Sequence, residues 1–212
     1  DAAQAMGAYC QGIHGGRFGL ASAFSCHPLK NLNALGDGGF LITDDDKIAK
    51  KIRLYRNHGI ESRDNVTMFG INSRLDTLNA EVLKFRLKKL TSIIKRRRNN
   101  ANLYRELIKT DQVTLPKENI ENGSSDAYVM FLIQAKNRDK LKNFLDENNI
   151  ETMIYYGTPL HLQKASLKLG YKSGDFPVAE KICSQVLALP IHQHLKKEQI
   201  SAISEKINKF YK

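Results

Sequence analysis

Cysteine is scarce in this 212-residue sequence, and the three that occur are Cys10, Cys26 and Cys183. Their number is odd, and none stands in a C-x-x-C pair or at the spacing of cysteine and histidine zinc ligands. Neither a disulfide framework nor a metal site is therefore predicted. Because this cysteine usage fits a reducing compartment best, we expect a cytoplasmic protein.

Long apolar runs are also missing. No stretch approaches the roughly 18 to 20 apolar residues that a membrane-spanning helix needs. The uncharged stretch 182–195 is shorter and contains Pro190. The first residues lack the basic and apolar segments of a secretion signal. The sequence opens at Asp1 without an initiator methionine, which raises the question of whether it is a whole protein.

Acidic residues are outnumbered by basic ones, 22 against 33, which leaves a formal net charge of +11. Such a charge suggests a nucleic-acid partner, for which the run 95–98 of one lysine and three arginines is the best candidate. Four consecutive cations wrap around most of a helix, however, and no aromatic residues interleave them as a stacking platform would require. A solvated helix face is the preferred interpretation.

The N-terminal half combines short buried strands with helices, and 42% apolar residues suffice for a core. Apolar runs at 21–25 and 40–43 flank the glycine-rich turn 36–39 and predict two strands joined by a turn. The three aspartates at 44–46 then supply an N-cap and a negative first turn for a helix that ends near Gly59.

A long helix and a small module of strands and helices follow. Apolar residues spaced by three and four from Ala80 to Leu107 predict one continuous amphipathic helix, long enough to connect two domains. Loop and turn residues at 116–125 mark the candidate boundary. Beyond it the pattern predicts strands at 128–134, 152–156 and 187–189, and helices at 139–148, 178–186 and 200–210.

Lys30 stands where active-site groups of α/β proteins are common, in a loop that follows an apolar strand. Its amine could there become neutral and form a Schiff base, although taken alone it is one lysine among many and a surface position is the simpler interpretation. Cys26 and His27 precede it. Adjacent residues of a strand point to opposite faces, so these two are poorly placed to act as nucleophile and base.

Six short sequence motifs, called phrases below, show a resemblance to a known family. They span nearly the whole chain and occur in the same order as in that family. They are Asp1-Ala2-Ala3-Gln4-Ala5; the lysine phrase from Phe24-Ser25 through Lys30-Asn31-Leu32 to Gly36-Asp37-Gly38-Gly39-Phe40 and Thr43-Asp44; Gly70-Ile71-Asn72-Ser73-Arg74-Leu75-Asp76 with Asn79-Ala80; Tyr156-Gly157-Thr158-Pro159-Leu160-His161; Gly174-Asp175-Phe176-Pro177-Val178-Ala179-Glu180; and Leu187-Ala188-Leu189-Pro190. Together they resemble the DegT/DnrJ/StrS family of pyridoxal-phosphate-dependent sugar aminotransferases.

The resemblance implies a fold class and two domains. The expected fold is α/β, that of a fold-type I pyridoxal-phosphate-dependent transferase. Residues 1–115 would form the end of the large cofactor-binding domain with its connector helix, and residues 116–212 a smaller C-terminal α/β domain. In this family a phosphate-binding helix and early strands precede the Asp1 phrase. The chain is therefore expected to be the C-terminal part of an enzyme, poorly soluble or inactive alone.

The resemblance also assigns roles at a cofactor site. Lys30 matches the catalytic lysine that forms a Schiff base with pyridoxal 5'-phosphate and afterwards moves a proton. Asp1 matches the carboxylate that keeps the pyridine nitrogen protonated. Gln4 matches the side chain beside the ring, and Ser25 a hydroxyl that donates to the phosphate. Asn72 matches an amide that reaches a phosphate across the subunit interface, which implies a homodimer with shared active sites.

The reaction that the resemblance implies moves an amino group from an amino acid, most often glutamate in this family, to a nucleotide-linked keto-sugar. Its products would serve polysaccharide, lipopolysaccharide or deoxysugar biosynthesis. Tyr156 and His161 match substrate-binding positions. Tyr155 and Gly157 depart from the His and Pro that are usual there, and both changes bear on the identity of the sugar.

Phosphorylated substrates then account for the net charge better than a nucleic acid does, and neither a nucleic-acid nor a membrane partner is expected. Two alternatives stay open. One is a pyridoxal-phosphate-dependent sugar dehydratase, against which Lys30 argues because dehydratase relatives replace the lysine with His. The other is a non-catalytic regulatory relative that keeps the fold.

Overall fold

The computed structural model describes residues 1–118 and 120–212 and has a mixed α and β architecture. The chain separates into two units. The first contains residues 1–95 together with 118–129, and the second contains residues 96–117 and 130–212. The expected assignment of residues 1–115 and 116–212 to a large and a small domain stays a prediction.

Three antiparallel strand pairs and two helices make up most of the first unit, which also contains the start of helix α3. The pairs are β1 (Tyr9–Cys10) with β2 (Ile13–His14), β3 (Ala21–Ser25) with β4 (Gly39–Thr43), and β5 (Ile60–Ser62) with β6 (Asn65–Val66). The helices are α1 (Asp46–Tyr55) and α2 (Thr77–Leu87), and α3 is Leu90–Leu107.

The predicted strand pair around the glycine-rich turn is confirmed. β3 and β4 run antiparallel, and their register ends with Ser25 opposite Gly39. The rings of Phe24 and Phe40 stack with centroids 4.9 Å apart. A Cβ on Gly39 would stand 2.4 Å from the carbonyl oxygen of Phe24, so only glycine allows this approach of the two backbones.

The predicted N-cap of α1 is confirmed as well. The carboxylate of Asp45 accepts hydrogen bonds from the backbone N–H groups of Lys47 and Ile48, at 2.8 and 3.0 Å. Two of the N–H groups that have no partner inside the helix are thereby satisfied. The helix ends at Tyr55, four residues before Gly59.

The prediction of one continuous helix between Ala80 and Leu107 is wrong, because the structure has two helices, α2 and α3, that are separated at residues 88–89. Leu83 before the break and Leu90 and Ile94 after it are buried in the same apolar cluster. The spacing of apolar residues therefore continues across the break. This spacing indicates which side of each helix is buried, and it does not change when the chain changes direction between two helices.

The second unit is built on a three-stranded antiparallel sheet in the order β7-β8-β9. Its strands are β7 (Val113–Thr114), β8 (Phe131–Ala135) and β9 (Val186–Leu189), and its other helices are α4 (Arg138–Glu147), α5 (Pro177–Gln185) and α6 (Lys197–Phe210). The core contains fully buried side chains from strands and helices alike: Phe131, Ile133, Leu141, Leu145, Leu187, Ile200 and Ile207. The phenolic hydroxyl of Tyr104, on α3, donates to the carbonyl of Pro190 at 2.9 Å.

Two strand predictions in this unit need correction. Residues 152–156 do not form a strand, since only Met153 pairs, in an isolated bridge with Ala188. β8 starts at Phe131 and not at Tyr128, whose φ of 43° lies in the left-handed region that a strand does not adopt. Short apolar runs in an order of strands and helices predicted both segments, but backbone pairing and dihedral angles decide where a strand begins.

None of the helices in the described part of the chain is long and apolar enough to cross a membrane. Cys10, Cys26 and Cys183 carry free thiols. Among the described residues, no group of three or more His, Cys, Asp or Glu side chains could hold a metal ion.

Replacing Asp45 with Ala is expected to lower the free energy of unfolding by about 1 kcal/mol, because two N–H groups at the start of α1 lose their acceptor. Urea unfolding followed by circular dichroism measures this change. Asp44→Ala is the matched control, since the neighbouring Asp44 lies before the cap and removal of its carboxylate should change the free energy by less than about 0.5 kcal/mol. Equal losses in the two variants would contradict the capping role.

Candidate active site

The loop 26–34, called the lysine loop below, leaves β3 and carries Lys30 near its middle. Cys26, which is buried, closes it at both ends: its N–H donates to the carbonyl of Gly38 at 2.7 Å, and its carbonyl accepts from the N–H of Ala34 at 2.8 Å. Inside the loop, the N–H of Lys30 donates to the carbonyl of His27 at 2.9 Å. The backbone around the half-buried Lys30 is thus held by hydrogen bonds.

Helix α2 supports the far end of the lysine loop. The side-chain oxygen of Asn79 accepts from the N–H of Leu35 at 3.1 Å. The guanidinium of Arg86 donates to the carbonyls of Asn33 and Ala34 at 2.6 and 3.3 Å. The sequence pattern assigned no role to Asn79 or Arg86, although a spacing of seven residues, or two helical turns, places them on one side of a helix.

The side chain of Asn31, next to the catalytic candidate, is 3% exposed. Its amide donates to the carbonyl of Ala127 at 2.7 Å. Its oxygen is buried and has no hydrogen-bond donor among the described residues. This contact joins the lysine loop to the segment 123–127, which lies 96 residues further along the chain.

The first residues lie beside β3. The N–H of the buried Ala2 donates to the carbonyl of Ala23 at 2.9 Å, two residues before Ser25. A carboxylate oxygen of Asp1 accepts from the N–H of Ala3 at 2.9 Å, which orients the carboxylate, and Gln4 is exposed. The structure therefore brings the Asp1 and Gln4 turn to the strand that ends in Ser25 and continues into the lysine loop.

Ser25 is the last residue of β3 and is partly buried. Its hydroxyl oxygen accepts from the N–H of His27 at 3.3 Å. Because this contact uses the oxygen as an acceptor, the hydroxyl hydrogen stays available for donation to an anion.

Asn72 lies on a different segment of the first unit. It is exposed and pairs with Asn57 in a backbone bridge, just after the end of α1. The neighbouring N–H of Ile71 donates to the carbonyl of Tyr55 at 2.7 Å. A Cβ on Gly70 would stand 2.5 Å from that carbonyl oxygen, so the segment that carries Asn72 can approach α1 only with glycine at this position.

The two substrate-binding candidates lie in the second unit and differ in exposure. Tyr156 is 72% exposed, whereas His161 is buried. Nε2 of His161 lies 3.0 Å from a carboxylate oxygen of Glu180, and its ring packs against Phe176 with centroids 4.7 Å apart. Their assignment to substrate binding stays a prediction.

The carboxylate of Glu180, in the first turn of α5, accepts hydrogen bonds from several groups. It accepts from the N–H of Gly174 at 2.9 Å and from the hydroxyl of Ser173 at 3.1 Å, besides its contact with His161. These hydrogen bonds, that of Gly174 above all, lower the pKa of Glu180. Glu180 ends the family phrase that begins at Gly174, but the sequence pattern assigned no role to its carboxylate, because nothing in the spacing marks it as an acceptor.

The basic run 95–98 is only partly solvated, which corrects the prediction of a water-facing helix segment. Arg97 is buried, and its guanidinium donates to the side-chain oxygen of Gln193 at 3.2 Å. Burial lowers the pKa of Arg97 to about 10. Four consecutive residues point in four directions around a helix, so one of them meets the core of the second unit.

Comparison with known proteins identifies the family of this chain. The model of the DegT/DnrJ/EryC1/StrS aminotransferase family matches residues 1–208, which confirms the resemblance carried by the six phrases. A "Pleiotropic regulatory protein" from Geobacillus stearothermophilus is 42% identical over 215 residues, which cover 100% of this chain and 57% of that protein. A dTDP-3-amino-3,6-dideoxy-alpha-D-galactopyranose transaminase from Aneurinibacillus thermoaerophilus is 36% identical over 99% of this chain and 57% of its own length.

A solved structure shows the same fold. DesV of S. venezuelae, solved in complex with a ketimine intermediate, superimposes with a TM-score of 0.93 at 34% sequence identity. The alignment covers 99% of this chain and 56% of DesV. The chain thus spans little more than half the length of the relatives that it matches.

Replacing Glu180 with Gln is expected to lower the melting temperature at neutral pH, because the ionised acceptor of Ser173, Gly174 and His161 is lost. Since the pKa of Glu180 is lowered in the folded state, the ionised carboxylate stabilises the protein above the unfolded value of about 4.3. This contribution disappears as the pH falls through the folded pKa. The difference in melting temperature between wild type and variant should therefore shrink as the solution is acidified.

Thermal unfolding between about pH 3 and pH 7 measures this difference. Glu205→Gln is the control, since Glu205 is exposed on α6. A difference between wild type and Glu180→Gln that does not change with pH would contradict the proposed role of the carboxylate.

Proposed function

We propose that this chain, which belongs to the DegT/DnrJ/EryC1/StrS aminotransferase family, carries the catalytic lysine of a pyridoxal-phosphate-dependent sugar aminotransferase. The enzyme would move an amino group from an amino acid, glutamate by preference, to a nucleotide-linked keto-sugar in polysaccharide, lipopolysaccharide or deoxysugar biosynthesis. The observation that carries this proposal is the placement of Lys30 in a hydrogen-bonded loop at the end of β3, the strand that also binds the Asp1 turn.

The side chains around this strand fit pyridoxal 5'-phosphate. Lys30 offers an amine, Asp1 a carboxylate that a hydrogen bond already orients, and Ser25 a hydroxyl whose hydrogen is available. When bound, the cofactor supplies an aldehyde and a ring that withdraws electrons from the substrate. These are the partners that an amine, a carboxylate and a hydroxyl donor would hold at its aldehyde, its ring nitrogen and its phosphate.

Each residue then has a task of its own. Lys30 binds the cofactor through its amine and, when displaced, accepts and returns a proton at Nζ, for which the half-buried position limits competition from water. Asp1 would hold the proton of the ring nitrogen in place, and Gln4 would lie beside the ring. Ser25 donates its hydroxyl hydrogen to a phosphate oxygen.

The assembly that we propose is a fold-type I enzyme acting as a homodimer in the cytoplasm. Residues 1–115 would belong to its large domain and residues 116–212 to its small one, and Asn72 of each subunit would reach the phosphate in the site of the other. The first unit exposes large apolar side chains, among them Leu20 at 77%, Phe69 at 99% and Leu78 at 71%, and so much exposed apolar surface supports an interaction with further polypeptide.

We propose that Tyr156 and His161, both in the second unit, contribute to recognition of the sugar nucleotide. Tyr156 is exposed and offers both a ring and a hydroxyl to a sugar. His161 is buried against Phe176 and paired with Glu180. We therefore expect His161 to affect substrate binding indirectly, by fixing the conformation of the loop that carries it. The transaminase of Aneurinibacillus thermoaerophilus, whose name specifies a dTDP-linked amino sugar, supports this substrate class.

A regulatory, non-catalytic role is the second candidate, because the relative from Geobacillus stearothermophilus is named a pleiotropic regulatory protein. The sugar dehydratase is less well supported, since its family members carry His at the position of Lys30. Reaction of Lys30 with the cofactor separates the leading proposal from the non-catalytic alternative, and transfer of an amino group to a panel of nucleotide keto-sugars separates it from the dehydratase.

Incubation of the full-length protein with pyridoxal phosphate, followed by borohydride reduction and peptide mapping, is expected to place the label on Lys30, because Lys30 lies in the loop that leaves β3, the strand that ends in Ser25 and binds the Asp1 turn. Lys30→Arg should remove the label and reduce the transfer rate by about a thousandfold or more, since arginine keeps the charge but offers no amine nucleophile. Lys89→Arg, on the exposed surface between α2 and α3, is the control and should keep both label and activity. A label elsewhere would reject the proposal.

Affinity for the nucleotide-sugar is expected to fall with added salt, because a net charge of +11 attracts a diphosphate through forces that salt screens. The KM for the sugar substrate should rise several-fold between about 0.05 and 0.5 M sodium chloride. A neutral ligand, such as the keto-sugar without its nucleotide diphosphate, provides the comparison. A KM for the nucleotide-sugar that is constant with salt would contradict the electrostatic attraction.

A further inference from the structure

Asn31 directly follows the catalytic candidate Lys30 in the sequence, and its polar side chain is buried. The proposed function assigns no role to this side chain. Its amide donates to the carbonyl of Ala127 at 2.7 Å, and only 3% of the residue is exposed. Its oxygen is also buried, and no described residue donates to it. A buried amide that is only half satisfied destabilises a fold, so its presence here calls for a physical reason.

The acceptor of Asn31 is itself held firmly within the first unit. Ala127 follows the segment in which Ser125 exchanges two backbone hydrogen bonds with Tyr9, each 2.9 Å long. The hydroxyl of Ser124 accepts from the N–H of Gln11 at 3.0 Å. Asn31 therefore ties the lysine loop to a segment that is fixed to the β1 and β2 hairpin.

The other hydrogen bonds described above that tie the lysine loop to the rest of the fold act near its ends, whereas the bonds of Lys30 to His27 and of Asn33 to Pro28 stay within the loop. Cys26 binds Gly38 and Ala34 where the loop leaves and rejoins the fold, and Arg86 binds the carbonyls just before it ends. Asn31 acts at the middle, one peptide away from Lys30. Fixing that peptide limits the directions in which the Lys30 side chain can leave the loop, and such limits raise the rate of attack on a bound partner.

The chemistry of the amide also suits a neighbouring amine. An amide donates and accepts without charge, whereas an aspartate of the same shape would favour the charged ammonium form of a lysine next to it. It would also lose the donor that Ala127 needs. Nucleophilic attack and proton transfer both require the neutral amine.

We propose that Asn31 is a positioning residue for Lys30, which holds the lysine loop against Ala127 through a buried, uncharged hydrogen bond and so directs the amine toward the cofactor. This inference rests on the proposed function. It adds to the site one residue, Asn31, whose effect is exerted through Lys30.

The experiment compares three variants of the full-length protein: Asn31→Ala, Asn31→Asp and Asn33→Ala. Asn33 is the matched control, because it lies in the same loop and its amide also donates to a backbone carbonyl at 2.7 Å, that of Pro28, but its bond is exposed and stays within the loop. The readout is the rate at which pyridoxal phosphate labels Lys30 before borohydride trapping, measured as a function of pH.

We expect labelling of Lys30 in Asn31→Ala to slow by about tenfold at every pH, because the amine is no longer directed. In Asn31→Asp the labelling profile should move to higher pH as well, since the carboxylate favours the ammonium form. Asn33→Ala should label within about twofold of wild type, a difference too small for a positioning role. If Asn31→Ala does not fold, Asn31→Ser, which keeps a small polar group, replaces it with the same expected loss.

Equal labelling rates in Asn31→Ala and Asn33→Ala would overturn the positioning role, and so would an Asn31→Asp profile at the wild-type pH. A wild-type protein that is not labelled at Lys30 would reject the proposed function itself. Labelled wild type with unaffected Asn31 variants would reject only the inference about Asn31, so the two failures are distinguishable.

Discussion

The antiparallel pairing of β3 with β4 is the constraint on which the candidate site depends. Five residue pairs hold the two strands in register, ending with Ser25 opposite Gly39. That last pair exists because Gly39 has no side chain to collide with the carbonyl of Phe24. Since the lysine loop starts where the register ends, this pairing decides where Lys30 stands relative to the Asp1 turn, which is bonded to the same strand.

The lysine loop combines a backbone that hydrogen bonds hold in place with a Lys30 side chain that is partly accessible to solvent. Three kinds of restraint act on it: backbone hydrogen bonds from Cys26, side-chain bonds from α2, and the buried amide of Asn31. Bonds of this kind are stronger where water is excluded, because the local dielectric constant is low. A lysine in the role that we propose for Lys30 would gain from such support, since a fixed backbone limits the directions that its side chain can take before the partner arrives.

Much of this arrangement could be predicted from local sequence. The apolar runs around the glycine turn gave the β3 and β4 pair, and three aspartates gave the start of α1, because a strand pair and an N-cap depend on neighbouring residues. The break between α2 and α3, the absent strand at 152–156 and the burial of Arg97 could not be predicted. Each depends on which distant residues the segment meets, and apolar spacing carries no information about that.

The sequence by itself determined the family, the residue types at the candidate site and the order in which they occur, since these are properties of one chain and its phrases. Only the tertiary structure decided which of those residues meet. It brought Asn31 to Ala127 and Arg86 to the lysine loop, and it paired His161 with Glu180. The reason is physical: a hydrogen bond joins groups that are within about 3 Å in space, and residues 96 positions apart reach that distance only through the packing of the elements between them.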